Sequence, residues 1–426
     1  MNLLLIVADA LRADHLSCYG YRRYTTPFID LIAETGCNFL HAFAASNSTD
    51  PCFTSLMTGR YPVSHGITGM YGPERHDRWL EDSTSVLAEL LQSQGFHTAA
   101  VDSLRKWFKR GFDQYILPDS GEKLANIAGA VFNGDAITDA ALAWADTYRA
   151  DRPYFLFLHY WDTHAPYQPP TRYSRLFEAD ALWEMPLRRK VYVDIVRNCA
   201  SRAEEVVGQV ANYDRELAYM DTEIERLVAG LHARGMMDET ALIFTADHGE
   251  SFYEHDVMFT HYHLHDPTVH IPLIISAPGV LPGGRQVSGL ASQVDLLPTI
   301  LELAEIEPPP GLQGESLISA ARRGRTGRDF VYLEEGSHQR TRALRTRDWK
   351  FIKSIKPALN NAPPRELYHL RRDPQELHNL WEEQPAAARR LEAQLRHWVN
   401  QYGGDYDGEE ETPWQCLFGP YRDKVL

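Results

Sequence analysis

The 426-residue sequence has no apolar run long enough to cross a bilayer, no excess of positive charge and no dense set of cysteines. Each absence excludes something. A membrane span takes about 20 consecutive apolar residues, so no membrane partner is expected. Lys and Arg number 43 against 58 Asp and Glu, for a formal net charge of -15. Nonspecific nucleic-acid binding depends on cationic side chains that neutralise phosphates, so no nucleic-acid partner is expected either. The same balance sets a condition on any site that processes an anion. Such a site needs local positive charge from a metal, from histidine or from a few arginines. The cysteines (Cys18, Cys37, Cys52, Cys199 and Cys416) are odd in number and scattered, which reads as reduced thiols in the cytoplasm. The opening MNLLLIVADALRAD lacks a basic leader and a small-residue cleavage site, and reads as a buried strand rather than an export signal. No internal repeat or long low-complexity tract is present. What remains is ordinary globular composition, 44% hydrophobic and 24% charged, in a chain long enough for one large domain with an appendage.

Apolar β-rich runs alternate with helical patterns. NLLLIVAD is a near-continuous apolar run, as expected of a strand covered on both faces. TTPFIDLIAETG has helical spacing with Pro near its start and Gly at its end, and STSVLAELLQSQG is a second helix with Ser at its cap. FHTAAVD, PYFLFLHYWD, ETALIFTADHGE and VHIPLIISAPG read as further strands, separated by the helix DAITDAALAWADTYRA and a long helix over about 204–235. The alternation predicts an α/β fold with a doubly wound, mostly parallel sheet. Beyond about residue 336, TRALRTRDWKFIKS and RELYHL alternate as antiparallel strands do, and PAAARRLEAQLRHWVNQYG is an amphipathic helix. The expected division is a catalytic α/β domain over 1–335, a small C-terminal α+β subdomain over 336–402 and an acidic, then aromatic tail over 403–426.

Polar residues cluster just after the strands: Asp9, Asp162 with His164, and Asp247 with His248. In open α/β sheets ligands bind beyond the carboxyl ends of the strands, so these residues are expected to share one site. TADHGE is the sharpest local signal, because adjacent Asp and His side chains at a strand end can both reach one cation. Taken alone, the DHG triplet reads more readily as a polar strand-end turn than as a metal site.

Taken in order, the segments VADALRADHLSCYG, TDPCFTSLMTGRYP, FLHYWDTHAPYQPP, FTADHGESFYEH, HIPLIISAPG and SQVDLLPTILELAEI resemble the sulfatase branch of the alkaline phosphatase superfamily. The likeness covers nearly the whole chain apart from roughly 105–135, part of 171–203 and the tail. Family sulfatases carry Cys-x-Pro-x-Arg followed by Leu-Thr-Gly-Arg. Anchoring on Pro51 and on Met57-Thr58-Gly59-Arg60 puts the family cysteine at Thr49 and the family arginine at Phe53. The key cysteine is therefore absent, and Cys52 falls in the variable slot between. Ser48 is the rival hydroxyl, and register favours Thr49. Thr49 also reads, without chemistry, as a helix N-cap with Asp50 in the first turn.

The resemblance implies a divalent metal held by Asp9, Thr49, Asp247 and His248. Ala10 stands where many sulfatases carry a second aspartate, so the mixed Asp/His/hydroxyl set favours Mn²⁺ or Zn²⁺, with Mg²⁺ or Ca²⁺ as alternatives. One firmly bound ion is expected, with a second as a variant. His164 and His261 match positions where the family touches the substrate anion and leaving group, and Asp162 and Arg12 are added as substrate contacts. For Arg12 the alternative is a pair with Asp14. His263, His265 and His270 read as a histidine-rich surface loop, and His255 matches a family pattern of less uniform role. Trp107, Phe108, Tyr173 and Trp183 are candidates for lining an organic-group pocket, with core packing as the default.

A threonine nucleophile differs chemically from formylglycine. It has no second hydroxyl with which to expel sulfate, so its ester intermediate must be hydrolysed by water, and phosphorus esters permit this readily. The expected activity is metal-dependent hydrolysis of phosphate diesters or phosphonate monoesters through a phosphothreonine at residue 49, with a small anionic ester as substrate. Alternatives are a sulfuric ester hydrolase without formylglycine, a soluble phospho-group transferase and a catalytically silent binding protein. A homo-oligomer is compatible with this reading.

Overall fold

The computed structural model describes residues 1–69, 80–104, 106–118, 124–126, 129–131, 133–177, 203–257, 259–337, 339–355 and 362–407. Trp183, most of the 171–203 insertion, short parts of the 105–135 insertion and the tail beyond residue 407 lie outside these residues.

Eight strands form the central sheet, in the order Arg285–Val287, Cys37–Phe39, Leu273–Ser276, Thr240–Ala246, Asn2–Ala8, Tyr154–Tyr160, His97–Val101, Gln114–Ile116. The strands Asn2–Ala8, Thr240–Ala246 and Tyr154–Tyr160 are parallel and almost wholly buried, which is why each reads as an unbroken apolar run. Leu273–Ser276 runs antiparallel to both neighbours, so the sheet is mixed at one side and parallel at its centre. The apolar run VHIPLIIS is split at Pro272, which has no N–H to give the ladder. His270–Ile271 pairs instead with Ala42–Phe43 in a small separate sheet.

Helices cover the faces. Asp221, on the long helix Ala203–Ala233, accepts the N–H groups of Phe28 (3.0 Å) and Ile29 (2.8 Å), which caps the helix Pro27–Thr35 from outside its own chain segment. The helix Leu87–Ser93 is capped at Val86 rather than at a serine, and Glu89 reaches back to the Val86 N–H at 3.3 Å. Trp107 and Phe108 pack in the main core, and Tyr173 is buried with its ring 5.5 Å from that of Tyr219.

The second sheet is antiparallel, in the order Phe330–Glu335, Thr341–Thr346, Trp349–Ser354, Arg365–His369. It begins before residue 336, because alternation across Phe330–Glu335 already splits its side chains between two faces. Tyr332 joins Leu344, Phe351 and Leu367 against the helix Pro385–Gln401, through Leu391, Leu395 and Val399. Val331 and Leu333 face the other way and pack with Phe43, Leu264 and Val269 of the catalytic part. The C-terminal sheet is thereby seated directly on the elements that carry the site. Among the described residues no helix is long and apolar enough to cross a membrane.

Candidate active site

Register brings the first two aspartates together. Ala8 lies opposite both Tyr160 and Ala246, and the ladder runs one step further through Asp9 N–H to Tyr160 O (2.8 Å) and Asp247 N–H to Ala8 O (3.2 Å). The chain then leaves the sheet abruptly, with Ala10 in the left-handed region at φ 55°. Asp247 Oδ1 accepts the N–H groups of Ala10 (3.1 Å) and His248 (2.6 Å). His248 Nδ1 lies 2.8 Å from Gly249 O; a carbonyl only accepts, so Nδ1 carries a proton and Nε2 is the nitrogen turned to the carboxylates. Gly249 must be glycine, since a Cβ there would stand 2.2 Å from Pro267 O.

His248 Nε2 lies 3.4 Å from Asp247 Oδ2, 3.9 Å from Asp9 Oδ1 and 3.4 Å from Thr49 Oγ1. Asp9, Asp247 and His248 each offer one ligand atom, and these three atoms lie within 4.8 Å of one another. All three side chains are fully buried; Asp9 Oδ1 and Asp247 Oδ2 have no hydrogen-bond donor, and Asp9 Oδ2 faces only His159 Nε2, at 3.3 Å. Buried carboxylates without donors are costly unless a cation joins them, so these residues fit a divalent ion. Burial, then the neighbouring Asp9, pushes the Asp247 carboxyl up to about 6. Burial acts in the same sense on Asp9, but His164, His159 and His248 outweigh it and hold Asp9 below the usual carboxylate range. Divalent-cation affinity is therefore expected to fall as pH drops through about 6, where a proton competes for Asp247. Calorimetric titration with Mn²⁺ across that range checks this, and an affinity flat with pH would contradict it.

Thr49 opens the helix Thr49–Thr58, all ten residues of which are buried. The N-cap is Ser48 rather than Thr49. Ser48 has extended backbone and its hydroxyl is bonded to Ser337 Oγ at 2.9 Å, which leaves Thr49 in the first turn with its hydroxyl toward His248. A helix N-terminus also favours negative charge there. Cys52 is fully buried one turn on; burial, then the charge of Asp247, raises its thiol well above the ordinary value, and it packs as a core residue. Phe53, in the slot of the family arginine, is also core, with its ring 4.6 Å from that of His159 and 5.8 Å from that of Phe157.

Two of the expected substrate contacts gather here. The His261 ring lies 4.3 Å from that of His248 and 6.4 Å from that of His164. His164 is half-buried and donates Nδ1–H to Ala165 O (2.7 Å), which leaves Nε2 as its working nitrogen. Asn47 donates to the backbone oxygens of His261 and His263, fixing that loop to the start of the helix Thr49–Thr58. Behind His261 sits Glu250, 3.9 Å from His261 Nδ1 and pushed up to about 8 by burial.

The other two expected contacts have protein partners. Asp162 Oδ1 accepts the N–H of Gly134 (2.8 Å) at the start of the helix Gly134–Thr147, and burial raises its carboxyl to about 7. Oδ1 thus caps that helix from outside, while the buried Oδ2 has no hydrogen-bond partner. The guanidinium of Arg12 is 3% exposed and is held by Asp14 (2.9 and 2.8 Å), by Glu254 (2.8 Å) and by Glu250 O (3.2 Å). The pair with Asp14 is thus the one that forms, and the cation is committed before any substrate arrives. The histidine-rich loop is buried instead of exposed: His263 and His265 are 2% exposed, and the His255 and His265 rings stack at 3.5 Å. His265 Nε2 lies 3.2 Å from Glu366 of the second sheet.

His159 escapes a motif reading. It sits fully buried in the apolar strand Tyr154–Tyr160, with Nδ1 2.8 Å from Asp102 Oδ1 and Nε2 3.3 Å from Asp9 Oδ2. Burial opposes its charge, but Asp102 and Asp9 together lift the imidazole to about 9. A histidine inside a run of aromatic and aliphatic residues, and an aspartate closing HTAAVD, were the available signals.

Strand ends that converge on buried carboxylates, an imidazole and a helix-start hydroxyl define an ester hydrolase of alkaline phosphatase-like architecture. The family model for sulfatases matches residues 1–306, and the model described as N-sulphoglucosamine sulphohydrolase, C-terminal, matches 253–402. The chain belongs to the sulfatase family. It is 23% identical to N-acetylglucosamine-6-O-sulfatase of Bacteroides thetaiotaomicron, over 96% of this chain and 88% of that protein. It is 25% identical to arylsulfatase K of Danio rerio, over 100% and 90%. Among solved structures, the phosphonate monoester hydrolase of Agrobacterium radiobacter superposes with a TM-score of 0.77 at 21% identity, over 94% of this chain and 96% of that one. A protein solved with its substrate D-glucosamine-2-N,6-O-disulfate gives 0.77 at 21%, over 96% and 99%.

Proposed function

We propose that this sulfatase-family hydrolase acts on monoanionic phosphorus esters, namely phosphate diesters or phosphonate monoesters, through a covalent phosphothreonine at residue 49. The observation that carries the proposal is the placement of the Thr49 hydroxyl 3.4 Å from His248 Nε2, beside Asp9 and Asp247, in the slot of the family cysteine. A divalent cation held by Asp9, Asp247 and His248 would supply positive charge that lowers the pKa of the Thr49 hydroxyl. Thr49 Oγ1 gives up its proton to solvent water and forms the new bond to phosphorus as the bond to the leaving alcohol breaks, and the proton for that alcohol comes from His164 or His261. Water then cleaves the threonine ester, since threonine has no second oxygen with which to expel the group. Charge supports a monoanion: Phe53 replaces one cation and Arg12 is committed to Asp14 and Glu254, so imidazoles do the remaining work of holding the anion.

A second reading, hydrolysis of sulfate esters by the same threonine, is favoured by the names of the relatives, which include sulfatases of N-acetylglucosamine and arylsulfatase K. The phosphonate monoester hydrolase among the similar folds favours the first. A panel of nitrophenyl phosphate, methylphosphate diester, phenylphosphonate and sulfate esters, assayed with added Mn²⁺ or Zn²⁺, ranks the two. The expected result is kcat/KM highest for the diester or phosphonate. Predominant sulfate turnover would replace the first reading with the second.

A further inference from the structure

Four neighbouring strands of the central sheet contribute four successive members of one polar chain. Tyr115, on Gln114–Ile116, donates its hydroxyl to Asp102 Oδ2. Asp102 follows His97–Val101 and is also fixed by the Leu104 N–H, 3.2 Å from Oδ2. Its other oxygen, Oδ1, receives His159 Nδ1–H at 2.8 Å. The far side of the His159 ring then faces Asp9 Oδ2, with Nε2 at 3.3 Å. The sheet order places these strands side by side, and Asp102, His159 and Asp9 are all fully buried.

Asp9 is split between two duties by this arrangement. Oδ1 is the oxygen turned toward His248 Nε2 at 3.9 Å, whereas Oδ2 is the oxygen turned toward His159. Because Asp102 can only accept, it fixes the proton on Nδ1 and the plane of the ring, so Nε2 stays aimed at Asp9. Phe53 and Trp161 hold the ring from its sides, at centroid distances of 4.6 and 4.5 Å. Groups that grip the second oxygen of a ligating carboxylate orient the first and tune the affinity of the ion.

We infer that Asp102 and His159 are positioning residues for the cation site: they lock Asp9 so that Oδ1, beside Asp247 and His248, is the oxygen offered to the ion. The inference rests on the cation reading of Asp9, Asp247 and His248. Loss of an outer-shell partner of this kind typically costs about 10–100-fold in metal affinity. The test is calorimetric titration of metal-stripped protein with Mn²⁺, for wild type, Asp102→Asn and His159→Gln, alongside unfolding of each metal-free protein. Asp102→Asn keeps the side-chain volume, but its amide can donate as well as accept, so the proton is no longer fixed on Nδ1; it carries the test should His159→Gln not fold. The expected result is tight binding to wild type and a loss of about 10-fold or more in the variants, with the metal-free unfolding midpoint of Asp102→Asn close to that of wild type. Wild-type binding matched within twofold by both variants, or by Asp102→Asn alone if His159→Gln does not fold, would overturn the inference and leave the cation site standing. Failure of wild type to bind Mn²⁺, Zn²⁺ or Mg²⁺ at all would instead remove the cation site itself, and the inference with it.

Discussion

Replacing Thr49 with alanine is expected to lower turnover of the preferred ester by about 1,000-fold or more, because no other hydroxyl can take its place. Ser48 stands at the N-cap position with its hydroxyl bonded to Ser337, and the Cys52 thiol is buried and holds its proton. Thr49→Ser keeps an oxygen in place and is expected to retain a substantial fraction of the rate. Cys52→Ala removes only a packed side chain and is expected to leave kcat within a few-fold while lowering stability by about 1 kcal/mol. Steady-state kinetics on the three variants, with metal content measured on each, decides the matter. Loss of activity in Cys52→Ala with Thr49→Ala still active would mean that the nucleophile helix has been read one turn out of register.

The second large effect is a trade between function and stability at Asp247. Asp247→Asn should abolish tight cation binding and with it turnover, yet it should stabilise the metal-free fold. The carboxyl holds its proton more tightly folded than unfolded: its ordinary value is 3.8 and the buried one about 6. The stabilisation from that proton is complete below about pH 4 and is lost as pH rises through about 6, so at neutral pH the bare carboxylate is a cost. That cost is on the order of 3 kcal/mol. An asparagine amide still accepts the Ala10 and His248 N–H groups, and it offers Asp9 a donor. Thermal unfolding of metal-stripped wild type and Asp247→Asn is expected to show the variant a few degrees higher near pH 7.5, with the gap closing toward pH 4. A variant less stable than wild type at every pH would show that the cluster is not held against charge repulsion.

What could be read before any coordinates follows a physical pattern. Asp9, Asp247 and His248 were accessible because each stands where an apolar run stops, and parallel pairing at Ala8, Ala246 and Tyr160 carries such ends to one edge. The place of Thr49 beside His248 could be reached by spacing alone, since its helix also buries Asp50, Thr54, Ser55 and Thr58 and composition does not single it out. His159 was hidden for another reason: an imidazole that joins two buried carboxylates looks, inside YFLFLHYW, like a packed one. Its partners Asp102 and Asp9 lie 57 and 150 residues away by subtraction of residue numbers, and only the sheet order joins them. The same distance misleads in the other direction for Asp162, which stands beside a strand end as the ligands do but is claimed by the amide of Gly134. Arg12 could not be assigned from its neighbours because Glu254, which completes its pairing, is more than half the chain away. The histidine-rich loop looked exposed by composition, and the second sheet, through Glu366 and Tyr368, is what buries it.

The most direct measurement is peptide mapping by mass spectrometry after rapid acid quench of the enzyme turning over a phosphonate monoester. A phosphonyl group on the peptide spanning residues 48–58, localised by fragmentation to Thr49 and absent from Thr49→Ser digests at that mass, is the expected result. Label on Ser48 or Cys52 would contradict the assignment of the attacking oxygen. So would no label at all under conditions where an initial burst of alcohol release is seen.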